Sequence, residues 1–496
     1  MKSVYNKINQ IFDNHWFLLL FIPIAAVFLL LYSSTTSPCY WSEGCDSVIF
    51  KTFGLAILQG KILYVDIFDN KGPILYFINA LGQWIIPGRT GIFILQIVSL
   101  SISLVFLYKT SKLFISSTLS FIFLIISLGL LGVFFDYGNL SEEWNLPYLI
   151  IPLYLALSFF SKKNNSPHPN KYSLIYGLCF GMAFFIRPND AVAQVGGLMV
   201  GLSLWLLYRK EYKKIFQTIL FFTLGSLVIA IPIILWFGLN NALNDLYYAL
   251  LQVNAKYTGG ILNQFLSVFS KNKIRFFMFF VVLVVMIYNT SHKKILILLI
   301  PVLALTAVLI GSKGFLHYYI VVVPYFMLFF VFLCLQKNKS IIICSIAVLL
   351  ASHIDTIRTA RKLPITYYKQ VSEVFKNGMK RPAYYEQTDK LLENIPEEER
   401  NNIWNYNLDF DSEMLWRKGI VQTNKVPLFL LYRVDENLKK EDDIIKKKPQ
   451  YILFSEDHDK DSLDYEYILT NYEKVAEMST TINSSIVLFK RKQINE

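Results

Sequence analysis

Apolar residues in this 496-residue chain come in long blocks, not in the alternation of a half-buried strand. About 20 consecutive apolar residues carry a helix across the hydrocarbon core of a bilayer. Runs that reach or approach that length lie at 16–33, 90–108, 114–134, 146–160, 172–186, 191–208, 216–238, 274–290, 295–311, 315–335 and 340–352. They predict about 11 transmembrane helices. The stretch 74–86 (ILYFINALGQWII) is apolar but short, and predicts a helix lying in the interface or dipping partway into it. The first run is long and lacks a small-residue cleavage site, so it is expected to remain as an anchor.

The pattern changes near residue 352. Short β-like runs at 426–432, 450–454 and 485–489 alternate with charged, helix-compatible stretches such as 388–400. The expected fold is a polytopic α-helical membrane domain over 1–352, with a first external loop at 34–89, followed by a small extracytoplasmic α/β domain over 353–496. No metal, phosphate or nucleophile motif stands out in 353–496. Docking or acceptor recognition and simple structural support are equally open for it.

Composition agrees. The chain is 54% hydrophobic and 17% charged, against about 25% charged in a soluble domain. Its net charge of +12 is uneven: residues 1–352 hold 25 Lys+Arg against 11 Asp+Glu, and residues 353–496 hold 23 against 25. A basic excess can mark nucleic-acid binding, but here it is spread over short loops. With the N-terminus placed in the cytoplasm, the inside loops carry thirteen Lys and Arg and one acid, Glu211. Nine of the 11 acids before residue 353 then fall outside. That asymmetry sets the orientation in a plasma or inner membrane, and an odd number of crossings puts 353–496 outside. Five Cys make no disulfide framework. Cys39 and Cys45 share the first external loop, where a local bridge and two free thiols are both open.

The candidate chemistry gathers at the external helix ends. The first loop runs Cys45-Asp46-Ser47 and then Gly60 to Pro73, with Asp66, Asp69 and Lys71 inside it. Charges kept close to lipid mark a functional site; a solvated loop is the plain alternative. Arg187 opens Arg187-Pro188-Asn189-Asp190 between two helices with almost no loop, either as a snorkelling anchor or as a phosphate ligand. His317 beside Tyr318 and Tyr319 fits an aromatic belt or a donor site. Glu142 and Glu143 are adjacent, so on a helix they diverge by about 100°; one would serve the site and the other stay solvated. The long segment 239–272 is expected to be a lid or an interfacial helix.

Three loops resemble the GT-C superfamily of polyprenyl-phosphate-sugar glycosyltransferases, in the bacterial branch of protein O-mannosyltransferases and aminoarabinose transferases. They are Asp46 with Gly60–Pro73 (and YVDIFDNKGPILY, 64–76), Gly138–Glu143, and Gly314–Tyr319 followed by Pro324. Two departures stand out: Ser47 follows Asp46 where an acid is usual, and Asn70-Lys71-Gly72-Pro73 replaces Glu-Lys-Pro-Pro. The resemblance implies a GT-C-like transmembrane catalytic domain and an inverting sugar transfer from a polyprenyl-phosphate donor. The acceptor would be a cell-envelope glycan, teichoic acid, lipid or protein, with no nucleic acid involved. Such a reaction needs a base for the acceptor proton and cations for the departing phosphate. Asp46 is the expected base, and Lys71, Arg187, Lys313 and His317 the expected phosphate ligands. Asp66, Asp69, Glu142, Glu143 and Tyr318 are assigned to the acceptor, the sugar or a divalent cation, which is the one cofactor left open. Two rivals remain: a lipid-linked glycan polymerase or ligase of the same fold class using a diphosphate donor, and, not an enzyme at all, a lipid-linked sugar transporter or flippase. The second is disfavoured by nearly charge-free helix interiors and the lack of an internal repeat.

Overall fold

In a computed structural model, residues 12–40, 44–161, 166–257, 281–288, 300–305, 315–378, 383–406, 408, 412–427, 430–455, 463–479 and 485–493 are described. Six expected crossings are helices long and apolar enough to span a membrane: α4 (Thr90–Lys112), α5 (Ser117–Phe134), α6 (Ser141–Ser161), α8 (Pro188–Tyr208), α9 (Tyr212–Leu239) and α10 (Leu316–Leu335). The runs at 16–33 and 172–186 form the shorter helices α1 (Phe21–Tyr32) and α7 (Asn170–Phe184). Those at 274–290 and 295–311 lie mostly outside the described residues. The protein is thus a multi-pass membrane protein, with six spans shown among the described residues.

The first external loop is more ordered than its sequence suggested. It contains α2 (Cys45–Leu58) and α3 (Pro73–Ile85), with Pro73 at the first helical position, where its missing N–H costs nothing. Cys39 is buried and free, and the side chain of Cys45 lies outside the described residues. Residues 243–257 of the expected lid are helical and pack inward at Ala249, Leu250 and Val253; 258–272 lies outside the described residues.

Beyond residue 338 a single helix, α11 (Lys339–Asn377), runs straight through residue 352, so the change in composition there is not a break in the chain's path. The tail then folds as α12 (Ala383–Glu393), β1 (Ile403–Tyr406), α13 (Glu413–Arg417), β2 (Tyr451–Ser455), β3 (Tyr472–Ser479) and β4 (Ser485–Arg491), with smaller helices between. The sheet order is β1-β2-β4-β3, with β1 and β2 parallel and the other pairs antiparallel. The expected strand at 426–432 is not formed. Pro427 lacks a ladder donor, the Val426 N–H bonds the Asp442 carboxylate at 2.8 Å, and Leu430–Val434 is helical. β1 and β3 went unrecognised; β3 is an edge strand whose exposed Glu473 and Lys474 hide its pattern.

This domain rests on the first loop. Lys51 of α2 is fully buried and pairs with buried Glu413 at 2.7 Å, its ammonium 4.3 Å from the Trp416 ring centroid. The Trp416 indole N–H donates to Gln83 Oε1 at 2.8 Å, and Gln83 Nε2 donates to the Lys51 carbonyl at 2.9 Å. The Phe68 N–H donates to the Lys425 carbonyl at 2.7 Å.

Candidate functional site

Four chain segments meet where the acids collect. Asp46 stands in the first turn of α2, where the helix dipole favours an anion. Ser47 beside it accepts from Asn139 Nδ2 at 3.0 Å, and the same amide bonds Asn79 Oδ1 at 3.0 Å. The Trp144 indole N–H completes Asn139 at 2.9 Å. Ser47 is therefore a structural tie to the next loop.

That loop is wound unusually. Asp136, Tyr137, Gly138 and Asn139 all have positive φ, at 34°, 70°, 81° and 57°. Non-glycine residues rarely occupy this region, and its use marks a conformation over-determined by surrounding packing. A side chain at Gly138 would meet Ser33 Oγ at 2.1 Å. The winding delivers Asp136 to His317, whose Nδ1 is 2.9 Å from Asp136 Oδ2 while Nε2 lies 3.7 Å from Asp46 Oδ2. The imidazole thus stands between two carboxylates, with Phe315 parallel to it at 5.6 Å.

On the other side, Arg187 Nη1 is 2.8 Å from Glu142 Oε1 and 3.2 Å from Asp190 Oδ2, and its guanidinium sits 4.4 Å from the Tyr318 ring centroid. Burial works against the Arg187 charge, but Asp190 and Glu142 outweigh it and hold the guanidinium above its ordinary value. The backbone just before Arg187 is the landing point of the first loop. The Gly72 N–H donates to the Ile186 carbonyl at 3.0 Å and the Ile74 N–H to the Phe185 carbonyl at 3.0 Å. Any Cβ at Gly72 would stand 2.1 Å from the Phe185 oxygen, so only glycine allows this approach. This contact fixes Lys71 beside the site; its ammonium donates to Asn70 Oδ1 at 3.1 Å, and Asn254 Nδ2 holds the Asn70 carbonyl at 2.8 Å.

Asp46 keeps 35% of its side-chain surface accessible, yet crowding by protein atoms still pushes its carboxyl above the usual range. His317 and Lys71 pull it back down, while Glu142 and Asp69 push it further up. Asp46 lies 3.7 Å from His317, and Lys71, Asp69 and Glu142 are near enough to act on its charge.

Other assignments divide. Asp69 is buried and committed, accepting the Tyr76 hydroxyl at 2.7 Å and the Asn70 N–H at 2.7 Å. Glu143 was expected to be solvated if Glu142 served the site; instead both are buried, and Glu143 turns to Gln96 Nε2 at 2.8 Å. Asp66 is exposed, closes a turn onto the Ile62 N–H at 2.7 Å, and faces a cleft with Lys61, Lys425 and Lys447. Lys313 lies outside the described residues. Among the described residues no group of three His, Cys, Asp or Glu converges on a point that could hold a metal ion. Asp66, Asp69, Glu142 and Glu143 each serve a separate partner, which does not favour their joint use for a cation.

Sequence reasoning counted Asp136 only as external charge, named Asn139 and Asp190 only as members of the Gly138–Glu143 and Arg187–Asp190 segments, and passed over Asn145. Asn145 Nδ2 reaches Asp190 Oδ2 at 3.4 Å. A Tyr-Gly-Asn turn directly after Asp136 was the available signal, since Gly and Asn accept left-handed backbone.

No family model and no curated protein matches this sequence. Solved structures do match its fold. ArnT from Cupriavidus metallidurans bound to undecaprenyl phosphate aligns over 95% of this chain and 98% of its own, with a TM-score of 0.55 at 13% identity. The Archaeoglobus fulgidus oligosaccharyltransferase AglB, in complex with an inhibitory peptide and a dolichol-phosphate, aligns over 97% of this chain and 75% of its own, with a TM-score of 0.51 at 11% identity. The chain therefore shares the fold of these two structures, with 95% of its length aligned to ArnT.

Proposed function

We propose that this protein is a membrane glycosyltransferase that moves a sugar from a polyprenyl-phosphate donor to a cell-envelope acceptor on the extracytoplasmic face. The observation that carries the proposal is the placement of Asp46, ionisable and partly accessible, in one charged neighbourhood with Lys71 and His317, joined to Arg187 through Glu142. The undecaprenyl phosphate of ArnT and the dolichol-phosphate of AglB support a lipid-linked donor.

In the reaction, an acceptor hydroxyl gives its proton to the Asp46 carboxylate as its oxygen attacks the anomeric carbon. The bond from that carbon to the phosphate oxygen breaks on the opposite face, which inverts the centre. The phosphate leaves with the bonding pair, and Lys71 and Arg187 offset its charge. A guanidinium carries five N–H donors, more than the pairs to Glu142 and Asp190 use. His317, braced by Asp136, keeps Asp46 oriented and its carboxylate ionised.

The test is a transfer assay in membranes with a panel of radiolabelled polyprenyl-phosphate sugars. Asp46→Asn should lower transfer by about 10²–10⁴-fold, the range of general-base catalysis. Full transfer by a normally inserted Asp46→Asn protein would overturn the assignment.

A further inference from the structure

Five consecutive hydroxyl residues, Ser33 to Ser37, follow α1, and all five are buried. Buried hydroxyls take hydrogen-bond partners, and the partners show what this run holds. Ser33 and Thr36 bond the Gln96 side chain, and Ser37 donates to the Leu30 carbonyl at 3.0 Å. Thr35 reaches across to the turn that carries Asp136. Its N–H and its hydroxyl both donate to the Tyr137 carbonyl, at 3.1 and 3.0 Å, and the hydroxyl lies 3.3 Å from the Gly138 carbonyl.

We propose that Thr35 is a positioning residue, which sets Asp136 and His317 against Asp46 and ties that spacing to the docked C-terminal domain. The proposal rests on the glycosyltransferase reading above.

The turn needs outside support. Asp136, Tyr137 and Asn139 hold left-handed backbone without being glycine, a conformation that persists where the surroundings impose it. The Asn139 side chain is tied to Ser47, and Thr35 holds the carbonyls in the middle of the turn. Thr35 also abuts the start of α2. A Cβ at Gly44 would stand 2.9 Å from Thr35 Cγ2 and 3.2 Å from Tyr137 Cβ, and Gly44 caps the helix that carries Asp46 in its first turn. One side chain therefore meets both the turn and the helix whose carboxylates flank His317. Its carbonyl completes the link, accepting from Lys51 Nζ at 3.4 Å while the same ammonium pairs with Glu413 of the C-terminal domain. Contacts thus run unbroken from Glu413 through Lys51, Thr35 and the turn to Asp136, His317 and Asp46.

The test compares the full wild-type chain with Thr35→Val, with Thr35→Ser, and with the double variant Lys51→Met and Glu413→Leu. Valine keeps the shape and the backbone N–H but removes the hydroxyl. Thr35→Val should lower kcat for transfer about tenfold, the scale of a lost buried hydrogen bond, with the donor KM unchanged. Thr35→Ser keeps the donor and should stay within about threefold of wild type. The acid limb of the pH profile should move to higher pH in Thr35→Val, because Asp136 no longer braces the His317 charge beside Asp46. Asp136, Asp46 and Glu142 face the imidazole, and His317, Lys71, Glu142 and Asp69 act on Asp46; of these, Asp136 is the one on the turn. A loss of stability alone would not move that limb. Hydrogen exchange over residues 134–144 should quicken in Thr35→Val and in the folded double variant. Wild-type kcat and acid limb in Thr35→Val, or a Thr35→Ser protein as impaired as Thr35→Val, would overturn the positioning role. Unchanged exchange in the double variant would overturn the tie to the C-terminal domain. If the wild type transfers no sugar, the glycosyltransferase reading fails, and exchange alone decides: no change over 134–144 in Thr35→Val overturns the inference.

Discussion

Two charge clusters lie along α2, and they are built on opposite principles. At its N-terminal end Asp46, Asp136, Glu142 and Asp190 outnumber Arg187 and His317, and Asp46 stays partly accessible. Five residues past Asp46, Lys51 and Glu413 form a matched pair with essentially no access to water. An unbalanced, accessible cluster is poised to take something in; a balanced, sealed one holds two parts of the chain together. One helix therefore carries the proposed reacting carboxylate at one end and attachment of the C-terminal domain further along.

The sealed pair offers the largest effect. Breaking a buried ion pair leaves a naked charge and costs about 3–5 kcal/mol, whereas replacing both partners with apolar groups is often neutral. Lys51→Met and Glu413→Leu should each lower the melting temperature sharply, and the double variant should recover most of the loss. A double variant no more stable than either single one would show that the two clusters do not differ in kind.

Next comes the joint between the first loop and Arg187. Gly72→Ala places a methyl group against the Phe185 carbonyl and forces Lys71 away from the site. Misplacement by about 1 Å can cost about 100-fold in rate, so transfer should fall steeply while helix content by circular dichroism is kept. Wild-type transfer would mean that Lys71 is not part of the site.

The pH profile sharpens the comparison further. As the proposed base, Asp46 would take a proton only when deprotonated, so transfer is expected to fall as pH drops through its raised pKa. His317 draws that value down, and His317→Gln removes its charge, so the acid limb should move to higher pH. An unmoved limb with reduced rate would give His317 a purely steric role. The smallest effect is expected at Asp66, exposed and bonded to its own turn. Asp66→Asn should change transfer by less than about threefold, in line with surface substitutions.

Much of this was legible in the order of residues. A membrane helix satisfies its backbone internally and faces lipid, so length and hydropathy alone define it; six spans of α4 to α10 followed directly. The crowding of acids at one end is likewise a property of loops read in sequence. Charges beside lipid are costly and few, which draws the eye to Asp46, Lys71, Arg187 and His317; the roles proposed for them come from the resemblance of their loops to a known family. The tail was less readable: a short apolar run such as 426–432 does not distinguish strand from helix, and an edge strand such as β3 carries too many charges to show alternation.

Pairing was what the linear chain left open. Asp136 looked like any external acid until four left-handed residues turned it onto His317, 181 positions away. Lys51 looked like an interruption in an apolar stretch until Glu413 covered it from 362 positions away. Hydropathy is a sum over neighbours in sequence, and so the chain itself determined which segments enter the bilayer. Which charges neutralise one another, and which remain for a ligand, depends on distances of a few ångströms between remote segments, and only the tertiary structure decided that.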